Sequence, residues 1–338
     1  MPRGIINRIL VLGLVGVSPL AAWGLHRAGE IATVSDKLSI FTTIFLGIFI
    51  EAAPFLLLGT LFSGIVEVFL DQENVRRLAP RNPFLGALVG GMLGFFFPVC
   101  ECGVVPFTRR LMKKGLPASV GISFLLAAPV LNPVVIASTY TAFGFGKVLL
   151  LRTGLSLAIA TLTGLIFSFQ RRPERILRLT ALMPVSGASG LDTLAPVQKP
   201  ALGKRIRLTL IIAADEFFEM GRYLILGAVL ASLMQTFIPQ STLLAVGTGP
   251  VISVFVMVLL AFVLSICSTV DAFVALAFSG TFTTGSILAF LVFGPMVDIK
   301  NVFMYLRVFN RRIVIYLVLL PLMMIMLITI YLNLNTNW

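Results

Sequence analysis

Two cysteines flank a glutamate in the run Pro98-Val-Cys100-Glu101-Cys102-Gly-Val-Val-Pro106. Thiols at spacing i, i+2 can share one soft ion where the backbone between them is extended or turned; on a straight helix they point about 200° apart. The prolines and the glycine break any straight helix here, so Cys100 and Cys102 are candidate substrate-binding and metal-ligating residues. Thiolates favour Cu(I), Zn and, by extension, trivalent arsenic or antimony. The alternative is that small, apolar cysteines simply pack in a tight hairpin. Cys267, in a second broken segment around Cys267-Ser-Thr269, would complete a three-thiol site if the segments face each other.

Acids accompany these thiols: Glu101 lies between the pair and Asp271 follows Cys267. An acid within a bilayer costs about 2.5–3.5 kcal/mol on insertion scales, so it faces a polar cavity or a partner. Proton carriage, neutralisation of a cationic substrate and contact with interfacial water all fit. Two further breaks carry Asn132, in Pro129-Val-Leu-Asn132-Pro133, and Asp298, in Pro295-Met-Val-Asp298. Both can serve backbone groups freed by the break, or the substrate; Asp298 also has Lys300 close by for a local ion pair. Glu51 and Glu219 sit inside long apolar stretches as candidate coupling or gating groups. Arg222 lies one turn beyond Glu219, so an internal Glu219–Arg222 pair is the structural alternative. Asp215 and Glu216, nearer the end of that stretch, read as solvated.

The elements that must position these residues lie in a membrane. Of 338 residues 58% are apolar and 12% charged, against about 25% charged in a soluble domain. Mean hydropathy is +1.02. A water-soluble enzyme and a disordered polyelectrolyte are both excluded. The net charge of +12 does not point to nucleic acid, because the basic residues punctuate stretches long enough to span a bilayer. Those stretches are Ile5–Leu25, Leu38–Leu70, Leu116–Gly144, Val148–Gln170, Ile206–Ile238, Gly285–Ile299 and Ile313–Leu334, with broken hairpins at Phe84–Thr108 and Gly249–Phe278. The first reads as a retained helix, since no small-x-small cleavage site follows it. On this plan 21 of 26 Lys and Arg residues fall on one face, which becomes cytoplasmic, with the N-terminus inside and the C-terminus outside.

The halves of the chain repeat. Glu51-Ala-Ala-Pro54 aligns with Glu219-Met-Gly-Arg222, Cys100 with Cys267, and Pro129-Val-Leu-Asn132 with Pro295-Met-Val-Asp298, at near-constant offset. The first half's loops around its hairpin, Asp71–Pro83 and Arg109–Gly115, are basic, whereas Pro239–Gly247 and Ser279–Thr284 carry no charge. Matching loops then face opposite sides. The expected fold is all-α and polytopic: two inverted-topology repeats, each of about three spans and one broken or re-entrant hairpin. Residues 1–37 form an extra N-terminal helix and external loop, 38–170 repeat 1, 171–205 a basic cytoplasmic linker and 206–338 repeat 2. Arg171–Leu182 reads as a short amphipathic helix on anionic lipid. This is the architecture of secondary transporters, with the site near the midplane where the breaks meet.

The runs Pro98–Pro106 and Leu125-Leu-Ala-Ala-Pro-Val-Leu-Asn-Pro133, with Glu51-Ala-Ala-Pro54-Phe, resemble the YraQ-like family of predicted permeases, which includes the organoarsenical efflux permeases. The resemblance covers residues 38–334. It implies a plasma-membrane transporter, with trivalent methylated arsenicals exported by one branch, and carries a role over to Cys100, Cys102 and Asn132. Glu101 departs from the small polar residue that many members place between the cysteines, and suits a divalent cation equally. The expectation is an inner-membrane permease exporting a soft thiol-reactive solute by alternating access, driven by protons or membrane potential. Its partners would be lipid and the solute, with no cofactor, and the identity of any partner protein stays open. An unrelated solute, a membrane thiol oxidoreductase using the Cys-x-Cys pair and a non-transporting subunit are the rivals. No Walker A or HExxH pattern occurs, and His26 is the single histidine, so nucleotide hydrolysis is not expected.

Overall fold

The computed structural model describes residues 3–73, 75, 80, 82–97, 100–170, 176–178, 202–237 and 249–335, with side chains from Ser35 onward. Pro98, Val99, Arg76, Arg77, Arg81, most of residues 171–205, including most of the stretch expected as an amphipathic helix, and residues 239–247 lie outside the described residues. Within them the protein is helical and has no strand beyond one isolated bridge, Leu177 to Phe309.

α1 spans Arg3–Phe69, running as one helix through the stretch 26–37 expected as an external loop; that stretch has no proline and a single glycine, so nothing in it ends a helix. α2 (Pro83–Phe96) begins on the Asn82 cap, with Pro83 at its first turn, where a missing N–H costs nothing. α3 is Glu101–Lys113, α4 Ala118–Leu131, α5 Pro133–Phe143 and α6 Lys147–Ser168. The second half follows the same order: α7 Leu202–Phe237, α8 Ile252–Leu264, α9 Asp271–Ala277, α10 Thr284–Met296, α11 Ile299–Val308 and α12 Arg311–Asn335. Among the described residues six segments are long and apolar enough to cross a membrane: Ser35–Phe69, Ala118–Phe143, Lys147–Ser168, Leu202–Phe237, Thr284–Val308 and Arg311–Asn335.

Side-chain contacts fix the directions. Added Cβ atoms would strike Val120 from Gly90 and Ala128 from Gly94, so α2 runs parallel to α4 at close backbone approach. The Phe107 ring stands 5.7 Å from Phe124, and Met112 fills the space beside Gly121, so α3 returns antiparallel to α4. α2 and α3 are therefore the two arms of a hairpin. α8 lies parallel to α10, through the Ser253–Thr283 hydroxyl contact at 3.2 Å and Gly294 against Ala261. α1 and α7 pair antiparallel: Lys37 lies over Phe237, Gly64 against Thr209, and Arg205 over Phe69. One end of the bundle, the basic face, gathers Lys113, Lys114, Arg205, Arg311 and Arg312. The other holds the ends of α5, α7 and α12.

The span expected at Gly285–Ile299 continues to Val308 after a break at Asp298. Lys300 and Arg307, expected in a loop, therefore lie within it.

Candidate functional site

Three breaks meet inside the bundle. Lys300, 2% exposed, enters from the first turn of α11. Its ammonium stands 3.4 Å from Asp298 Oδ2 and 3.7 Å from Glu101 Oε1, and donates to the Ser265 carbonyl at 2.6 Å. Ser265 ends α8 in the left-handed region, φ 47°, a conformation that costs a non-glycine residue energy unless the surroundings enforce it. The enforcement is visible: its hydroxyl accepts from Ile299 N at 3.2 Å. Glu101 belongs to the first hairpin, Ser265 to the second and Asp298–Lys300 to the break before α11, so one ammonium ties all three. The second oxygen of Glu101, and both amide atoms of the buried Asn301, have no hydrogen-bond partner. Buried polar atoms left in this state are costly.

The thiols line the same junction. Cys100 caps α3 with extended backbone, ψ 174°. Its side chain therefore leaves the helical lattice that would hold it opposite Cys102. It lies in one buried cluster with Cys102 and Cys267, close to both; Glu51 from α1 is a neighbour of Cys267, which the Thr269 hydroxyl reaches at 3.6 Å. All three cysteines are free and buried. As arranged, no group of three or more His, Cys, Asp or Glu side chains among the described residues is set to hold a metal ion.

Asn132 and Asp298 act alike. The Asn132 side chain accepts from Val134 N at 2.9 Å, and Asp298 from Asn301 N at 2.7 Å, so each caps the helix that restarts after its break. Asn132→Ala is expected to cost about 1 kcal/mol, read as a lower melting temperature of the purified protein. Unchanged melting would mean that the cap is dispensable and free the side chain for another role.

Two sites differ from expectation. Glu219 does not pair with Arg222, which is exposed; it receives Arg109 Nη1 at 3.0 Å and Arg307 Nε at 2.8 Å. Glu216, expected to be solvated, is fully buried. It accepts from Ser63 and lies 3.5 Å from Arg110 Nε. The reason is helical phase. Glu216, Met220, Leu224 and Ala228 form the buried stripe of α7, and Arg222 falls off it. Asp271 stands apart from the thiol junction's ammonium and pairs with Arg152, Nη2 to Oδ2 at 2.6 Å. Sequence reasoning assigned no site role to Lys300, Arg109, Arg110 or Arg152, all counted as positions at span ends. The available signal was charge balance: acids inside apolar spans require internal cations.

A family model described as predicted permease (ArsP_1) matches residues 37–334. The chain belongs to this permease family. The permease is 46% identical over 287 residues to the UPF0718 protein YcgR of Bacillus subtilis (strain 168), covering 85% of this chain and 94% of that protein. It is 38% identical over 276 residues, 81% of this chain and 89% of the other, to a Streptococcus mutans protein named "Putative two-component membrane permease complex subunit". No solved structure matches. Family and spans together make it a multi-pass membrane permease in a lipid environment.

Proposed function

We propose that the permease is a secondary transporter of two inverted repeats, moving a small solute past the junction of Cys100, Cys102, Cys267, Glu101, Asp298 and Lys300 by alternating access. Several features support the repeat. Helices α1–α6 and α7–α12 follow one order, the equivalent helices α1 and α7 lie antiparallel, and α3 packs on α11 as α5 packs on α9. An in-plane two-fold relation produces such reciprocal pairs. The basic face is cytoplasmic by charge, in the plasma (inner) membrane, with the end of α12 outside.

The observation that carries the substrate reading is the convergence of three buried thiols beside a charged cluster at helix breaks. Such a site suits a soft, thiol-reactive solute, a trivalent organoarsenical or a soft metal ion, and export is the direction that benefits a cell. The acids Glu51, Glu101 and Asp298 around the thiols favour a divalent cation as the second reading. The S. mutans relative's name adds a partner chain to the proposal, and flux through this chain alone in liposomes decides whether one is needed.

In membranes, methylarsenite is expected to protect Cys100, Cys102 and Cys267 from alkylation, with zinc and copper(I) as the comparison. If none of these protects, and a strain lacking the permease tolerates methylarsenite, antimonite, zinc and copper normally, the soft-solute reading is lost.

A further inference from the structure

The two halves are built alike but buried unlike. By chain order α3 corresponds to α9, and α11 to α5. α3 is buried at every residue from Glu101 to Arg110, and α11 buries Ile299, Lys300, Asn301, Met304, Tyr305 and Val308. α5 buries only Val135 and Thr139, and α9 only Asp271, Ala272 and Ala275. The difference comes from α1 and α7. α1 packs on α3 and α7 on α11, while neither makes comparable packing on α5 or α9 among the described residues. Two glycines permit the close side: a Cβ on Gly59 would collide with the backbone of Gly103, and one on Gly227 with Lys300.

The charges divide along the same seam. In the layer toward the basic face the acids Glu67, Glu216 and Glu219 lie on the α1/α7 arm, and the bases Arg109, Arg110, Lys114 and Arg307 on α3, its C-cap or α11. Arg109 Nη1 stands 3.0 Å from Glu219 and 3.7 Å from Glu216. Arg110 stands 3.5 Å from both Glu67 and Glu216. Lys114 donates to the carbonyls of Glu67 and Leu70 at 2.7 and 2.6 Å, and Arg307 closes on Glu219. This layer lies between the junction and the basic face. The opposite pair of helices presents bare apolar surface, with Val134 50% and Tyr140 55% exposed on α5 and Phe273 47% on α9.

We propose that α1 and α7 form a moving arm, that this structure is the state closed toward the basic face, and that transport transfers the arm from α3/α11 to α5/α9. The inference rests on the inverted-repeat reading above. A relation that makes α3 equivalent to α9 makes the mirror-packed state equally available to the backbone, so the two states differ in side chains alone. The side chains set a balance. In the present state the arm gains buried ion pairs, which desolvation makes weak net stabilisers. Arg110 Nε and Nη2 and Glu216 Oε1 lack hydrogen bonds within them. In the other state those charges meet water at the basic face, and the arm exchanges its packing on α3 and α11 for van der Waals packing on α5 and α9, which is what drives helix association where lipid is itself apolar. Opposing terms of this kind give the bistable seam that a gate requires.

The test reads the arm without any solute. Val134→Cys in the full-length protein, in right-side-out vesicles, is treated from outside with a membrane-impermeant maleimide and followed by peptide mass spectrometry. Rapid labelling is expected, because a state closed toward the basic face leaves the uncovered α5 open to water from outside. Glu216→Gln with Glu219→Gln weakens the lock, and the labelling rate should fall by roughly tenfold, a modest population shift. Adding Glu67→Cys with Lys114→Cys, oxidised to a disulfide, holds the arm against α3 and should return the rate to the parent value, which a misfolded protein would not do. No labelling in the parent, an unchanged rate in the Gln pair, or no recovery on cross-linking each overturns the arm. A rate that moves as expected while no solute protects the native thiols leaves the arm standing and removes the soft-solute reading. Thiol protection without a moving rate does the reverse.

Discussion

Lys300→Met should be among the most damaging single changes in the protein. The substitution keeps the length of the side chain's apolar stem and removes the ammonium that lies 3.4 Å from Asp298 and 3.7 Å from Glu101. Both carboxylates are buried, at 1% and 2% exposure. Breaking a buried pair from one side costs about 3–5 kcal/mol, because the remaining charge is neither solvated nor matched. Here two acids lose one shared partner, and the Ser265 carbonyl loses its donor at 2.6 Å. A fall in melting temperature on the order of 5–10 °C in detergent is expected. The triple variant Lys300→Met, Glu101→Gln, Asp298→Asn should recover most of it, since the stranded charge and not the missing contact is the main cost. Equal melting of the single variant and the parent would show that Lys300 does not neutralise this cluster; equal damage in single and triple variants would assign the loss to packing.

The same residue shows how far the sequence could be read. The breaks were legible because each has its own chemistry. The first break falls between Phe96 and Glu101, while Gly103 and Pro106, expected to end a helix, continue inside α3; Pro133 restarts the chain after Asn132, and Asn132 and Asp298 cap the helices that follow their breaks. Local rules of helix termination suffice for the two capped breaks. The pairing of charges was not legible, because it depends on helices brought together from far along the chain. Arg109 meets Glu219 and Arg152 meets Asp271 across more than a hundred residues. The positive-inside rule treats every Lys and Arg near a span end as a solvated marker, and it assigned Arg109, Arg110, Lys300 and Arg307 to water. A local rule failed in the same way at Glu219, where the i, i+3 neighbour Arg222 lay off the buried stripe.

Charge balance repairs part of this. Glu51, Glu101, Glu216, Glu219, Asp271 and Asp298 all fall within apolar stretches, and acids placed there need internal cations. Basic residues abutting the broken segments, Arg109 and Lys300 among them, are the ones that a hairpin can draw inward. That reasoning identifies the set of cations and leaves their partners open.

Arg152 and Asp271 provide the second large effect, at the opposite end of the molecule. Arg152 Nη2 meets Asp271 Oδ2 at 2.6 Å, and Nη1 donates to the Thr139 hydroxyl at 2.7 Å. One guanidinium thus joins α6, α9 and α5, and α9 is a helix of only seven residues, too short to hold its place by its own hydrogen bonds. Arg152→Met and Asp271→Asn should each destabilise the protein by about 3–5 kcal/mol. The double variant should cost less than their sum, a coupling of about 1–3 kcal/mol in a thermodynamic cycle. A stability effect alone would not separate a lock on the hairpin from general packing, so the second readout is local. Cys267 precedes Asp271 by one helical turn on the same hairpin, buried in the parent. Loss of Arg152 should speed its alkylation more than that of Cys102, which sits on the other hairpin. If both thiols quicken equally, the pair stabilises the bundle as a whole. If Cys267 quickens alone, Arg152 is what presents this thiol to the junction where Cys100, Glu51 and the solute would meet it.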